Sequence, residues 1–219
     1  MIRQDDKNIV QLNGYQYFGS VELYSTLIFS KNMFFLPEMG YQKYHHSNRM
    51  WISGANGLIG LSIPLHGGRN QKGYLKDVQI AEDGNWRRIH WRSIHDSYRK
   101  SPWFEELGWQ IEDIYQKPEK FLLDWNIRSM KLISKFLKMN LDILTASEHS
   151  MDHTGELLMN LNPFSKLPVS YPVYQQVFME RSGFIANLSI LDLLFCCGPG
   201  SVSYLEKLAI HKSMGQISS

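Results

Sequence analysis

The fold is decided by the stretch IVQLNGYQYFGSVELYSTLIFSKNMFFL, residues 9–36. Its first four residues form an apolar run, which predicts a strand that ends at an Asn-Gly turn. Ser20 is a suitable cap for a helix, because the apolar residues at 21–28 recur on one helical face. A second apolar strand follows at 33–36. Strand, helix and strand within about 30 residues predict a β-α-β unit, which builds a parallel sheet.

Downstream of this unit the apolar pattern first alternates and then takes the helical period. Residues 57–65 and 74–80 alternate, and the intervening loop HGGRNQKG predicts that they pair as a β-hairpin. Helical spacing and breaker residues then predict a central helical segment of three helices, at 85–100, 101–114 and 118–140. A short strand at 141–145, a late helix at 189–197 and a short terminal turn at 203–208 are predicted to follow.

The sequence thus predicts an α/β protein. We expect a single compact domain over residues 1–210, with a mixed sheet that contains the N-terminal β-α-β unit, the hairpin and the central helical segment. We expect residues 211–219 to form a flexible tail.

The composition is that of an ordinary globular protein. With 219 residues, of which 43% are hydrophobic and 20% charged, the chain has material for one core. It has no apolar run of about 18 residues and opens on MIRQDDKN, so we expect no membrane span, no leader and a cytoplasmic location. The only cysteines are Cys196 and Cys197. Because adjacent cysteines rarely bridge, we expect no disulfide and no cysteine metal site.

Basic residues are unevenly distributed along the chain. The net charge of +2 is too small to argue for a nucleic-acid partner. Residues 39–76 contain no Asp or Glu, although 21 of the 219 residues are acidic. This segment includes Arg49, Arg69 and Lys72 and is a candidate face for an anionic partner. The alternative is an ordinary solvated basic stretch.

The commoner nucleotide and metal motifs are absent. The sequence has no GxGxxG, GxxxxGK[ST] or GxSxG pattern. A Gly-Gly pair precedes Arg69 and Lys72 and suits a phosphate, but hairpin turns use the same residues. His90 and His95 are five residues apart, whereas a helical metal pair needs four. We therefore predict no metal site.

The predicted helix WRRIHWRSIHDSYRK, residues 86–100, holds the residues best suited to chemistry. Trp91, His95 and Tyr98 fall at i, i+4 and i+7, which places an imidazole between aromatic rings on one face. A histidine in such a position is most often a core residue. If it faces a cleft, its ordinary pKa of about 6.5 suits a general base.

Several blocks resemble the WbqC-like protein family, in the compact form associated with Bacteroidetes-type bacteria. They are YQKYHHSNRMWISGANGLIGLSIPL, NWRRIHWRSIHDSYRKSPWFEEL, FLLDWN and YPVYQQVFMERSGFIANLSILDLLFCCGPGSVSYL. The family is associated with O-antigen and other surface-polysaccharide gene clusters. The resemblance implies transfer of a glycyl or other acyl group to an amino sugar, by a mechanism that is not established.

Individual positions match the family pattern or depart from it. Ser47 and the Cys196-Cys197 pair depart from it. The matching positions are Asn48, Arg49, His90, Trp91, Tyr98, Pro102, Phe104, Asp124, Asn126, Asn187, Asp192 and Gly198.

These observations give a leading hypothesis, a cytoplasmic transferase of surface-polysaccharide precursor synthesis. It acts on an anionic small molecule, linked to a nucleotide or to an acyl carrier. We expect Arg49, Arg69 and Lys72 to hold the anion. The catalytic candidates are His90 or His95 as base, with Asp192 or Asp124 orienting or neutralising charge. Further candidate binding residues are Asn48, Trp91, Tyr98 and Asn187.

The alternative hypothesis is a non-catalytic binding or scaffold protein that uses the same basic face. In both cases we expect a ligand crevice at residues 13–18, where loops leave the carboxyl ends of parallel strands. The sequence identifies no cofactor.

Overall fold

The structure is a computed structural model that describes residues 9–12, 15–29, 32–35, 41, 46–68, 73–139, 142–145 and 171–217. In these ranges five strands and seven helices follow one another along the chain, with short 3-10 turns at Leu75–Asp77 and Asp83–Asn85. The strands are β1 Ile9–Leu12, β2 Asn32–Phe35, β3 Arg49–Gly54, β4 Gly57–Ser62 and β5 Asp142–Thr145. The helices are α1 Val21–Leu27, α2 Trp86–Tyr98, α3 Phe104–Gln116, α4 Leu122–Phe136, α5 Met179–Ser182, α6 Ile190–Cys197 and α7 Gly200–Ile217.

A three-stranded parallel sheet confirms the predicted β-α-β unit. Its strand order is β1-β2-β5, with Ile9 opposite Asn32 and Asn32 opposite Asp142. Helix α1 forms the crossover between β1 and β2, and the Ser20 hydroxyl caps it by accepting a hydrogen bond from the Leu23 backbone N–H. The short strand that was predicted after the central helices is β5, which pairs with β2.

The predicted hairpin partner was wrong. Strand β4 pairs with β3, and Gly54 lies opposite Gly57 across a tight turn. Residues 74–80, the expected partner, contain the 3-10 turn at Leu75–Asp77 and make two isolated bridges, Ile80 with Leu65 and Gln79 with Phe121. Strands β3 and β4 pair across a two-residue turn, whereas the predicted pairing of 57–65 with 74–80 has to close a longer loop. Closing the shorter loop loses less chain entropy. We expected one mixed sheet. In the structure the parallel strands and the antiparallel strands form two separate sheets.

The central helical segment confirms the prediction, since α2, α3 and α4 lie within a few residues of the predicted spans. Helix α6 begins close to its predicted start, with Ser189 as its N-cap, and ends at Gly198, whose φ is +51°. Helix α7 runs to Ile217 and is longer than the short terminal turn that was expected. The single domain and its boundary at residue 210 stay predictions.

The core is rich in aromatic rings where α2, α3, α4 and the loop before α1 meet. The rings of Tyr17, Trp86, His90, Tyr115 and Trp125 contact one another with centroids 5.2 to 6.4 Å apart. All five residues are buried. This packing fixes the loop before α1 against the central helices, and that loop carries the candidate site described below.

None of the helices in the described ranges combines the length and the apolarity needed to cross a lipid bilayer.

Candidate functional site

A small open cavity of about 210 Å³ lies between the loop before α1, strand β3 and the segment before α6. Two of the residues that the sequence singled out, Arg49 and Asn187, line it together. Gln16 and Tyr17 of the crevice predicted at 13–18 also line it. The remaining lining residues are Gly19, Ser20, His46, Met50, Trp51 and Ser189.

Backbone hydrogen bonds join the three walls of this cavity. The Ser189 N–H donates to the Trp51 carbonyl over 2.8 Å, and the Ile190 N–H donates to the Gly19 carbonyl over 2.9 Å. The Tyr17 N–H donates to the His46 carbonyl, also over 2.9 Å. Because these bonds join main-chain groups, the relative positions of the three segments set the shape of the cavity.

The cavity walls contain backbone in the left-handed region. Phe18, Gly19 and Asn187 have φ values of +55°, +68° and +55°. A non-glycine residue in this region is uncommon, and such residues cluster where a site over-determines the backbone. Asn187 lines the cavity, and the buried Phe18 lies between two lining residues, Tyr17 and Gly19, so we take the strain as independent support for a functional site.

Arg49 supplies the positive charge of the cavity. Its Nε donates to the Ser62 hydroxyl over 2.7 Å, and its guanidinium carbon lies 5.7 Å from the centroid of the Trp51 ring. The side chain is nonetheless exposed. Burial raises the pKa of the nearby Tyr41 hydroxyl, and the charge of Arg49 opposes that shift. Since the bond to Ser62 uses only Nε, the two terminal amino groups remain as donors for an anion.

Asn187 faces the cavity while its side chain holds the start of α1. Its Oδ1 accepts from the Glu22 backbone N–H over 2.9 Å, and its Nδ2 donates to a Glu22 carboxylate oxygen over 3.2 Å. Glu22 lies in the first turn of α1 and is buried. This reciprocal pair ties the segment before α6 to α1, so Asn187 shapes the cavity rather than offering a free amide.

His90 lies behind the cavity, in the aromatic core, and does not line it. Its Nδ1 is 2.8 Å from the hydroxyl oxygen of Tyr17, which also bonds the hydroxyl of Tyr115. Burial lowers the pKa of His90 to about 4, and a hydrogen bond to the backbone of Ser62 opposes that shift. The imidazole is therefore neutral at pH 7.

Asp192 is fully buried in α6 and saturated by donors. The Tyr98 and Tyr174 hydroxyls each donate to the carboxylate over 2.7 Å, and the Gln176 amide donates over 3.0 Å. Burial raises the pKa of Asp192, and these three hydrogen bonds oppose the shift. The Tyr98 hydroxyl also accepts from the Ser53 N–H. The arrangement connects β3, α2 and α6, and neither Asp192 nor Tyr98 lines the cavity.

The structure places the other predicted residues outside the cavity. His95 and Trp91 pack with Phe104 on the outer side of α2, and the His95 side chain is 45% exposed. Asn48 donates to the Ile63 carbonyl and orders the chain beside Arg49. Asp124 is exposed at the start of α4. Arg69 and Lys72 lie outside the described residues.

The two cysteines have poorly reactive thiols, and the potential metal ligands are not grouped in the described ranges. Both cysteines are free thiols, and burial raises the pKa of each, that of Cys197 to about 11. They are protonated at neutral pH, and a thiol is a poorer nucleophile than a thiolate. In the ranges that the structure describes, no three His, Cys, Asp or Glu side chains are grouped to hold a metal ion.

Chemically, the cavity combines one cation with neutral hydrogen-bonding groups. Such an arrangement binds a phosphate or a carboxylate and orients it through fixed polar groups. The crevice predicted at 13–18 includes Tyr17, but sequence reasoning missed the contact of Tyr17 with His90 and missed Ser62, which accepts from Arg49. The aromatic run NGYQYFGS was a usable signal for Tyr17, whereas no local pattern marks Ser62.

The comparisons with known proteins agree with the resemblance. The model of the WbqC-like protein family matches residues 16–167, which include Arg49 and His90 but neither Asn187 nor Asp192. An uncharacterized protein of Mycobacterium tuberculosis, Rv1507c, is 25% identical over 229 aligned positions, which cover 90% of this chain and 96% of the relative. No solved structure matches this chain.

Proposed function

This chain belongs to the WbqC-like protein family, and from that premise we propose that it binds an anionic small molecule at Arg49. We propose further that it acts in the cytoplasm as a transferase of surface-polysaccharide precursor synthesis. The first part is supported by the cavity, and the second by what the resemblance implies for the family. Transfer of a glycyl or other acyl group to an amino sugar is the reaction that this proposal favours.

One observation carries the anionic substrate. The Arg49 guanidinium is held at a polar cavity by Trp51 and Ser62, and no carboxylate of the described residues pairs with it. An arginine held in this way loses little further side-chain freedom when its terminal amino groups bind a phosphate or carboxylate. A cation prepared in this way favours an anionic ligand over a neutral one.

The size of the cavity restricts how much of the substrate it holds. The space of about 210 Å³ at this site includes open solvent, so its enclosed part is far smaller than the pocket of about 300 to 1,000 Å³ that holds a drug-sized ligand. The cavity therefore has room for no more than one charged end group, and the rest of the substrate lies outside it. A nucleotide-linked or acyl-carrier-linked donor, whose phosphates are separated from its reactive end, suits this division.

Isothermal titration calorimetry tests the anion site. The ligands are inorganic pyrophosphate, a nucleotide sugar, an acyl-CoA and glycine, and the variant is Arg49→Gln. Arg92→Gln is the matched control, because Arg92 is exposed on α2 and pairs only with Asp96 one turn away. We expect at least one anion to bind and Arg49→Gln to weaken it at least about tenfold, as for a lost charge-assisted bond. Equal loss in both variants, or no binding at all, contradicts the proposal.

A non-catalytic binding protein is the second candidate, and the burial of two proposed catalytic groups favours it. His90 and Asp192 are enclosed and fully engaged with protein groups, which leaves His95 as the solvent-accessible candidate base. Mass spectrometry of an amino-sugar acceptor, incubated with each donor that binds, separates the two functions. A product that His95→Asn abolishes favours the transferase. Donor binding without any product, with His95→Asn unchanged, favours the binding protein.

A further inference from the structure

We infer that His90 is a positioning residue for the Arg49 cavity: it holds Tyr17 at one wall, and Tyr17 shares the His46 carbonyl with Arg49 at another. This inference rests on the proposed function, because it assigns a role within the same site. It replaces the sequence-based hypothesis that His90 is the base.

The first link runs from His90 to the loop before α1. The imidazole Nδ1 lies 2.8 Å from the Tyr17 hydroxyl oxygen. Burial raises the pKa of Tyr17 well above 10, so the hydroxyl keeps its proton. The backbone N–H of the same residue donates to the His46 carbonyl across the cavity. Tyr17 thus anchors the loop at two points, directly before the left-handed pair Phe18 and Gly19.

The second link runs from Tyr17 to Arg49. The His46 carbonyl accepts from the Tyr17 backbone N–H over 2.9 Å and from the Arg49 backbone N–H over 3.3 Å. Tyr17 and Arg49 both line the cavity. A shift of the loop at Tyr17 would therefore move the carbonyl that orders the backbone of Arg49.

Pyrophosphate affinity tests the contact between His90 and Tyr17 from both sides. Tyr17→Phe removes the hydroxyl that reaches His90, and His90→Phe removes the imidazole that this hydroxyl contacts. We expect each to weaken pyrophosphate binding about three- to tenfold, the effect of one hydrogen bond. Tyr115→Phe is the matched control, because it removes a hydroxyl from the same cluster and leaves both links intact, and we expect unchanged affinity. His90→Asn, which keeps an acceptor near the position of Nδ1, should lose less affinity than His90→Phe.

Nuclear magnetic resonance supplies a readout that does not depend on ligand binding. We expect the backbone N–H signals of Tyr17 and Arg49, which share the His46 carbonyl, to move in His90→Phe but not in Tyr115→Phe. Spectra with native dispersion exclude unfolding as the cause.

The outcomes separate this inference from the proposed function. If Arg49→Gln abolishes pyrophosphate binding while Tyr17→Phe and His90→Phe leave it unchanged, the anion site stands and the positioning role is wrong. If the wild-type protein binds no pyrophosphate, the proposed function fails. The backbone N–H signals of Tyr17 and Arg49 then decide the positioning role, and unchanged signals in His90→Phe overturn it.

Discussion

The burial of His90 predicts a specific dependence of stability on pH. Its pKa is about 4 in the folded chain and 6.5 in its ordinary state. Between these values the unfolded chain binds a proton that the folded chain does not, so the free energy of unfolding decreases as the pH falls through this window. At about pH 4.5 the unfolded imidazole is almost fully protonated and the folded one is mostly neutral. The linkage relation gives a loss of about 2 to 3 kcal/mol relative to about pH 7.5.

Urea unfolding at about pH 7.5, 6.5, 5.5 and 4.5 measures this loss for the wild type, His90→Asn and His95→Asn. Carboxylates that titrate in the same window affect all three proteins and cancel in the comparison. We expect His90→Asn to lose about 2 to 3 kcal/mol less than the wild type over this range. His95→Asn, which removes an exposed imidazole, should follow the wild type. If the wild type and His90→Asn show the same pH dependence, His90 is not held neutral in the core and the reasoning fails.

Three further predictions concern stability and reactivity. Asp192→Ala removes the carboxylate to which three buried groups donate and leaves the Tyr98 and Tyr174 hydroxyls without this acceptor, so we expect urea unfolding to show a loss of about 3 kcal/mol or more, with Asp192→Asn losing less. Gly198→Ala adds a Cβ 2.2 Å from the Trp103 ring at φ +51°, so its melting temperature should fall well below that of Gly84→Ala, whose Cβ meets open space at φ +79°. Cys197, whose pKa is about 11, should react with a disulfide reagent at about pH 8 far more slowly in the folded than in the unfolded protein. Comparable rates in both states would contradict the burial of this thiol.

Local periodicity predicted most of the fold because most elements bury one face. The β-α-β unit follows from apolar spacing and a serine cap, and both features act within a few residues. The hairpin failed for the opposite reason, since alternation at 57–65 predicts a strand but does not choose its partner. The choice of β3 depends on the tight turn between Gly54 and Gly57, which the sequence prediction overlooked.

The candidate site was predicted in part. Arg49 was identified from the absence of acids around it, and Asn187 from the family pattern. That the two share a cavity depends on contacts between residues far apart in the chain, such as that between Glu22 and Asn187, and no periodicity encodes these. His90 and Asp192 were selected by residue type. Their burial depends on how α2 and α6 pack, which the spacing of apolar residues describes only coarsely.

Chemical-shift mapping of the isotope-labelled protein with inorganic pyrophosphate tests the central claim, anion binding at the Arg49 cavity, most directly. We predict saturable shifts of the Arg49 Nε–H, the Trp51 indole N–H and the Asn187 side-chain amide, all lost in Arg49→Gln and kept in Arg92→Gln. Shifts confined to the exposed arginines of α2, or no saturable shift at the cavity, would contradict it.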